Sequence, residues 1–341
     1  MNIKPVLKVV FLFVLLLGSS GLMSSEVYYI APSPSYPCPT EPCLTLSQFA
    51  NNSNTYLNTN TTLIFLLGNH TLEVKLFVAN ISILYILSDS MSSLITCNHH
   101  AMFKFNNIGE VHMRGLTFIG CSGNVVKCVD QFMLQDSSLI GQNKNKGTAL
   151  DLVESNATFV RSFFTFNKAN KLHNNVTCSH YKTNTQVTTG GAIISTKCNV
   201  TIIECVFEEN SARVGGAIFS EVYTNITIIN SSFDGNNATG CTVGGGVLHA
   251  ESGTTVMIYG SHFINNRAQY GGGGVLASRD VAHINITHSQ FFGGDGGVVY
   301  VYDSVNITVT HSEFVNTNEY GYGVIYVHGV YGLHSLSLIH I

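Results

Sequence analysis

The chain has 341 residues, 45% of them hydrophobic and only 11% charged, with a formal net charge of -4. That balance excludes the basic surface on which nucleic-acid binding depends. One domain of repeated units can absorb the whole length.

The chain opens with MNIKPVLKVVFLFVLLLGSSG, in which Lys4 and Lys8 precede an apolar run over 9–17 and then small residues. This pattern predicts a secretory signal peptide over 1–21, cleaved near Gly21 or Ser25, and hence a secreted, extracellular protein. The run is shorter than the ~20 residues a membrane span needs, so no span is expected after cleavage. Nine cysteines suit an oxidising compartment and leave an odd one over. Cys38 and Cys43, in PCPTEPC, predict a small local disulfide, whereas the other pairings stay open.

Residues 22–61 read as an irregular N-terminal and capping segment. Within it, Thr45-Leu46-Ser47-Gln48 has the form of a capping box, with Leu46 and Phe49 on one face of a short helix. A solenoid with open ends needs such an amphipathic cap to protect its unpaired strand edges.

From residue 62 to 341 the chain repeats itself. GGAIISTKCNVTIIECVFEENSA (190–212) is followed by GGAIFSEVYTNITIINSSFDGNNA (215–238), and related units begin at Gly245, Gly273 and Gly296. From the second glycine to an anchor phenylalanine the spacing is 16 residues for Gly191 to Phe207. It is 17 for Gly216 to Phe233, Gly246 to Phe263, Gly274 to Phe291 and Gly297 to Phe314. From each phenylalanine to the next glycine pair it wanders between 6 and 13. A rigid arm joined to an elastic loop, strand-like and without helical periodicity, predicts an all-β fold, a right-handed parallel β-helix.

Seven and five residues before the anchors stand Val200 and Ile202, Ile226 and Ile228, Val256 and Ile258, Ile284 and Ile286, Ile307 and Val309. These are period-2 inward positions. Cys205, Ser231, Ser261, Ser289 and Ser312, two before the anchor, share the phenylalanine's parity instead, which demands a corner between two short strands. Asn210, Asn236 and Asn266, three after it, read as turn asparagines stacked coil on coil. The same phasing, less regular, reaches back to anchors Phe118, Leu139 and Phe164, and the C-terminal stretch after Gly323 begins another coil that stops without a polar cap. N-x-S/T sequons fall on outward positions of the arm at Asn156, Asn199, Asn225, Asn285 and Asn306, where a glycan reaches solvent.

The pairing of GG-[AV]-[IL] with F-x-x-N, as in Gly215-Gly216-Ala217-Ile218 with Phe233 to Asn236, resembles the repeat of chlamydial polymorphic outer membrane proteins. It is also similar to secreted β-helix domain proteins of the pectin-lyase-like superfamily. The resemblance covers roughly residues 123–329 and implies a right-handed parallel β-helix with, for the bacterial proteins, an adhesive surface role. The chain departs from the bacterial pattern at Gly294 and Thr317, which replace asparagine, and shows no C-terminal barrel.

Stacking turns columns into candidate sites. Five or six residues after the second glycine stand Lys197, Glu221, Glu251, Asp280, Asp303 and His328. Carboxylates at Glu221, Glu251, Asp280 and Asp303 would repel one another unless neutralised, which fits a calcium ion, the one cofactor suggested, or the acid chemistry of a polysaccharide lyase or glycoside hydrolase. A turn, where acids are ordinary and solvent screens them, is the simpler explanation of the column. Three after the glycine stand Phe219, His249, Tyr300 and Tyr326, outward by alternation, whose exposed ring faces suit sugar rings. His288 and His311 make a further pair on adjoining corners. The chain has no nucleophile elbow, phosphate loop or H-E-x-x-H, and none of the pectinase signatures. The expectation is therefore a non-enzymatic surface for carbohydrate or protein partners, with a lyase or hydrolase as the alternative.

Overall fold

A computed structural model describes residues 26–39, 43–53, 60–89, 93–98, 103–121, 123–141, 148–169, 189–240, 244–269, 272–280, 283–294, 297–302, 306–315, 324–328 and 335–339. The expected signal peptide, Asp303, Cys178 and Cys241 lie outside the described residues.

The coil built from 215–238 shows how sequence becomes shape. A first arm, Ile218–Glu221, is followed by a corner, a second arm, Asn225–Ile229, a second corner, a short strand Ser232–Asp234 and the pair Asn237–Ala238. Each strand hydrogen-bonds in parallel to its equivalents in the coils before and after. Both arms belong to a 21-stranded sheet, the short anchor strands form a 10-stranded sheet, and the last pairs form a 4-stranded one. The result is a parallel β-helix, wound in the right-handed sense that parallel crossovers adopt.

The corners reverse side-chain parity through residues in the left-handed region. At the corner between second arm and anchor strand these are Arg161, Glu204, Asn230, Gly260, His288 and His311, with φ between 45° and 58°. For a residue with a Cβ this conformation costs about 1 kcal/mol or more. The cost is offset because each corner N–H reaches the next coil: Glu204 to the Ile229 carbonyl at 3.0 Å, Asn230 to Tyr259 at 3.0 Å and His288 to Thr310 at 3.1 Å.

Inside, like sits on like. Val200, Ile226, Val256, Ile284 and Ile307 are register partners in succession. The anchor rings of Phe164, Phe207, Phe233, Phe263, Phe291 and Phe314 stack with centroids 4.6 to 5.0 Å apart and planes within 10°. The serine column is satisfied in both directions. Ser231 Oγ donates to the Ile229 carbonyl at 2.8 Å and accepts the Cys205 N–H at 3.1 Å, while the Ser231 N–H donates to Ser261 Oγ at 3.1 Å. Cys205 fills one rung as a buried thiol, which burial pushes up to about 11.

The asparagines are more than turn formers. Asn167, Asn210, Asn236 and Asn266 are 0 to 2% exposed. Asn236 Oδ1 accepts both the N–H and the Nδ2 of Asn210, at 3.1 and 2.9 Å, while its own Nδ2 donates to the Phe207 carbonyl at 2.9 Å and to Asn266 Oδ1 at 3.0 Å. The glycine pairs answer to close approach. Gly215 has φ +61°, and a Cβ on Gly216 would stand 2.1 Å from the Gly246 carbonyl oxygen of the next coil.

At the N-terminal end the capping box is formed: the Thr45 side chain accepts from Gln48 N while Gln48 Oε1 accepts from Thr45 N at 2.8 Å. Helix α1 (Leu46–Asn51) buries Leu46, Phe49 and Ala50 against the first coils. The parallel ladder reaches back into the segment read as irregular, since Glu26–Ala31 pairs with Asn60–Phe65. Cys38 and Cys43 are bonded as expected, and a second disulfide, Cys97–Cys121, ties adjacent coils.

Phe233→Ala empties a rung of the ring stack and should cost about 3–5 kcal/mol in denaturant unfolding. Asn236→Ala orphans donors and acceptors on both neighbouring coils and should cost about 2–4 kcal/mol by the same measurement.

Candidate functional site

The aromatic and acidic columns come together on one surface, the outer face of the first arms. Ile194, Phe219, His249, Ala277, Tyr300 and Tyr326 are level with one another through successive strand pairs. Two residues further along the same strands stand Thr196, Glu221, Glu251, Arg279 and Tyr302. A period of two puts both rows on the same side of the sheet.

The aromatic row divides in two. Tyr300 and Tyr326 are half-buried and stack at 4.9 Å with planes 23° apart, each covering a face of the other. Phe219 and His249, expected to be exposed, are instead 7% and 5% exposed. Their rings lie face to face at 5.7 Å with planes 5° apart. The tight glycine bend also runs close to the Phe219 backbone, so that a Cβ on Gly215 would stand 3.1 Å from Phe219 N. Ala277 interrupts the row between His249 and Tyr300.

The acidic row divides as well. Glu221 and Glu251 end equivalent strands, one step beyond the Ser220–Ala250 pair. Asp280 falls one residue late. Arg279 stands level with Glu251, and Asp280 turns into the left-handed corner at φ 53° with Lys197, Val222 and Ser252, its carboxylate 3.9 Å from Arg279. The side chain of His328, like Asp303, lies outside the described residues. Each remaining carboxylate has its own partner. Glu221 Oε1 accepts from Thr196 Oγ1 at 3.2 Å, and Glu251 Oε1 is 2.8 Å from His249 Nε2. That histidine contact holds the Glu251 carboxyl below the usual carboxylate range. Among the described residues, no group of three or more His, Cys, Asp or Glu is placed to hold a metal ion.

One acid escaped the sequence reading. Asp151, in Leu150–Val153, is the register partner of Ile194 and so joins the aromatic row two coils before Phe219. Burial pushes its carboxyl up, and the negative charge of Glu221 adds to the effect. Its coil has a different opening, with Gly147 and Thr148 where later units have a glycine pair, so the spacing rule did not reach it. At the next corner, Lys197 Nζ bonds Glu154 Oε1 at 3.2 Å in an exposed pair.

The histidine pair also stacks. His288 and His311 lie 4.8 Å apart with planes 5° apart, and His288 is 5.3 Å from Tyr259. The predicted glycan positions occupy the outer face of the second arms, across the corner from the aromatic and acidic rows. Asn156, Asn199, Asn225 and Asn285 are exposed and Asn306 is half-exposed. No helix among the described residues is long and apolar enough to cross a membrane.

Residues 204–221 match the family described as Chlamydia polymorphic membrane protein (Chlamydia_PMP) repeat, on the unit in which the corner, anchor Phe207 and Gly215-Gly216 fall. The chain is similar to a protein named metabotropic glutamate receptor-like protein R of Dictyostelium discoideum, 27% identical over 223 residues, which is 64% of this chain and 12% of that protein. Among solved structures it is similar to ORF18 of Geobacillus virus E2, with a TM-score of 0.54 and 12% identity over 85% of this chain and 58% of that one, a likeness of fold alone.

Folding raises the Asp151 pKa, so the stability it contributes is complete below its unfolded value near 3.8 and is lost as pH rises through the raised folded value. Asp151→Asn should therefore melt higher than the wild type at pH 7, with the difference closing as pH falls toward 3.8.

Proposed function

We propose that this chain is an extracellular, non-enzymatic β-helix module whose first-arm outer face binds a carbohydrate or protein partner. The observation that carries the reading is the Tyr300–Tyr326 stack, two half-buried rings laid one on the other along the outer side of a rigid sheet. Tyr302 stands beside them with the Arg279 guanidinium 5.7 Å from its ring centroid. An aromatic ridge bordered by Glu251 and Arg279 suits a ligand with apolar faces and hydroxyl or amide edges, as a pyranose or a peptide strand has. Little entropy is lost in binding because the sheet already fixes the rings. The Cys38–Cys43 and Cys97–Cys121 disulfides support an oxidising, extracellular setting. The receptor-like name of the Dictyostelium relative and the repeat shared with chlamydial membrane proteins support a place at a cell surface.

A second reading, a lyase or hydrolase acting on a polysaccharide, has one observation in its favour. Asp151 and Glu221 share this face, and burial together with the negative charge of Glu221 pushes the Asp151 carboxyl up, as a general acid requires.

Screening the secreted chain against glycans and extracellular-matrix proteins tests both. A Tyr300→Ala, Tyr326→Ala double variant should keep its melting temperature within a few degrees and bind about tenfold or more weakly, with no ligand cleaved. Undiminished binding by that variant would remove the face from the reading. Depolymerisation that disappears in Asp151→Asn or Glu221→Gln would establish the enzyme instead.

A further inference from the structure

Three of the predicted glycan acceptors form a hydrogen-bonded file. Asn156, Asn199 and Asn225 are register partners on three consecutive coils. Asn225 Nδ2 donates to Asn199 Oδ1 at 2.8 Å, Asn199 Nδ2 donates to Asn156 Oδ1 at 2.8 Å, and Asn156 Nδ2 donates to the Asp130 carbonyl at 2.8 Å. Each begins a complete sequon, Asn156-Ala157-Thr158, Asn199-Val200-Thr201 and Asn225-Ile226-Thr227. The middle residue of each is turned into the core, at 2%, 1% and 0% exposure, while the asparagine is exposed. The sequons are therefore anchored in the wall with their acceptor amides outward and one coil apart. That separation is the 4.8 Å rise measured between the Phe207 and Phe233 rings.

From this geometry we infer that the three sequons are mutually exclusive between neighbours: a folded chain carries glycans at Asn156 and Asn225 together, or at Asn199 alone, and never on two adjacent rungs. The inference rests on the extracellular reading above. In the modification, an asparagine Nδ2 attacks the anomeric carbon of an oligosaccharide carried on a lipid pyrophosphate. The new C–N bond replaces the C–O bond to the pyrophosphate, the lipid pyrophosphate leaves, and the amide gives up one proton to the transferase. One N–H remains on Nδ2, so a rung keeps a donor for the asparagine behind it. The exclusion comes from volume. An N-acetylated pyranose with a branched chain beyond it is broader than one coil, and strands in register cannot splay to make room without breaking the ladder that pairs them. Two coils give twice the separation and leave an unmodified rung between. Transfer to the unfolded chain is blind to this spacing, so the selection acts when coils close and the doubly modified neighbours fail to stack.

Asn285 and Asn306 serve as the internal comparison. They also lie on adjoining coils, but Asn285 pairs with Thr308 and Asn306 with His283, so the two are offset diagonally by two residues and joint occupancy is allowed.

The test is mass spectrometry of the folded protein secreted from a eukaryotic host. After an endoglycosidase trims each glycan to one sugar, limited proteolysis gives a fragment that retains all three rungs, so co-occupancy is read on single molecules. Expected are fragments with sugar at Asn156 and Asn225 or at Asn199 alone, and an Asn199→Gln variant secreted at least as well as the wild type. An Asn156→Gln, Asn225→Gln double variant should raise Asn199 occupancy severalfold. Fragments with sugar on two adjacent rungs would overturn the exclusion while leaving the extracellular reading intact, as would three bare rungs beside occupied Asn285 or Asn306. A secreted chain without sugar at any sequon would overturn the proposed modification, whereas failure to be exported at all would bring down the extracellular reading with it.

Discussion

Everything in this molecule depends on parallel strands in register, which oblige every side chain to sit on its equivalent in the next coil. Main-chain hydrogen bonds fix the rise, and the rise then decides which residues are acceptable. A phenylalanine stacks on a phenylalanine at 4.8 Å because a flat ring fills one rise. A serine fits because its hydroxyl can accept from one coil and donate within its own. A buried asparagine fits because its amide has a donor and an acceptor aligned along the axis, so Asn210, Asn236 and Asn266 satisfy one another and the corner backbone together. An unmatched polar group at any of these sites would be left without water or partner, at about 1–3 kcal/mol for each orphaned atom.

The same rule shapes the exterior but selects differently there. On the first-arm face it produces stacked tyrosines and a covered Phe219–His249 pair; on the second-arm face it produces the asparagine file. The two faces belong to one sheet and meet at a left-handed corner that includes Lys197, Val222, Ser252 and Asp280. One face offers rings and carboxylates, the other neutral amides, and the corner keeps them from merging. A sugar coat on the second arms would leave the first-arm face open to a partner.

Most of the architecture was legible because the rows that define it repeat the same letters. Val200, Ile226 and Val256 announce an inward strand, and the parity change at Ser231 and Phe233 announces the corner. Where chemistry replaces a letter, the pattern fades. His70 holds the anchor position in its coil, level with Ile95 and, through it, with Phe118. It is 1% exposed, hydrogen-bonded to the Leu66 carbonyl at 2.8 Å and packed edge-on against Phe65. Nothing about a histidine in a polar stretch signals that role. The site was less legible than the fold. Counting from the glycines placed Asp280 in the row of Glu221 and Glu251, but the first arm of its coil runs to Arg279 and pushes the acid into the corner. Counting also could not show that Phe219 and His249 would be covered, since cover depends on the ring of the neighbouring coil. Cys97 and Cys121 are 24 residues apart, a spacing that becomes a bond only when two coils are stacked.

The interchangeable interior rungs have a consequence for how such a chain can change. Because Asn236 sees above and below it only other asparagines in the same pose, an entire coil could be duplicated or excised between two such rungs and the wall would close again with the same bonds. A single-residue indel inside an arm has no such freedom, because it would turn every side chain beyond it to the opposite face. Within the arms, change is therefore quantised in whole turns, whereas the loop from each phenylalanine to the next glycine pair, 6 to 13 residues here, can lengthen one residue at a time.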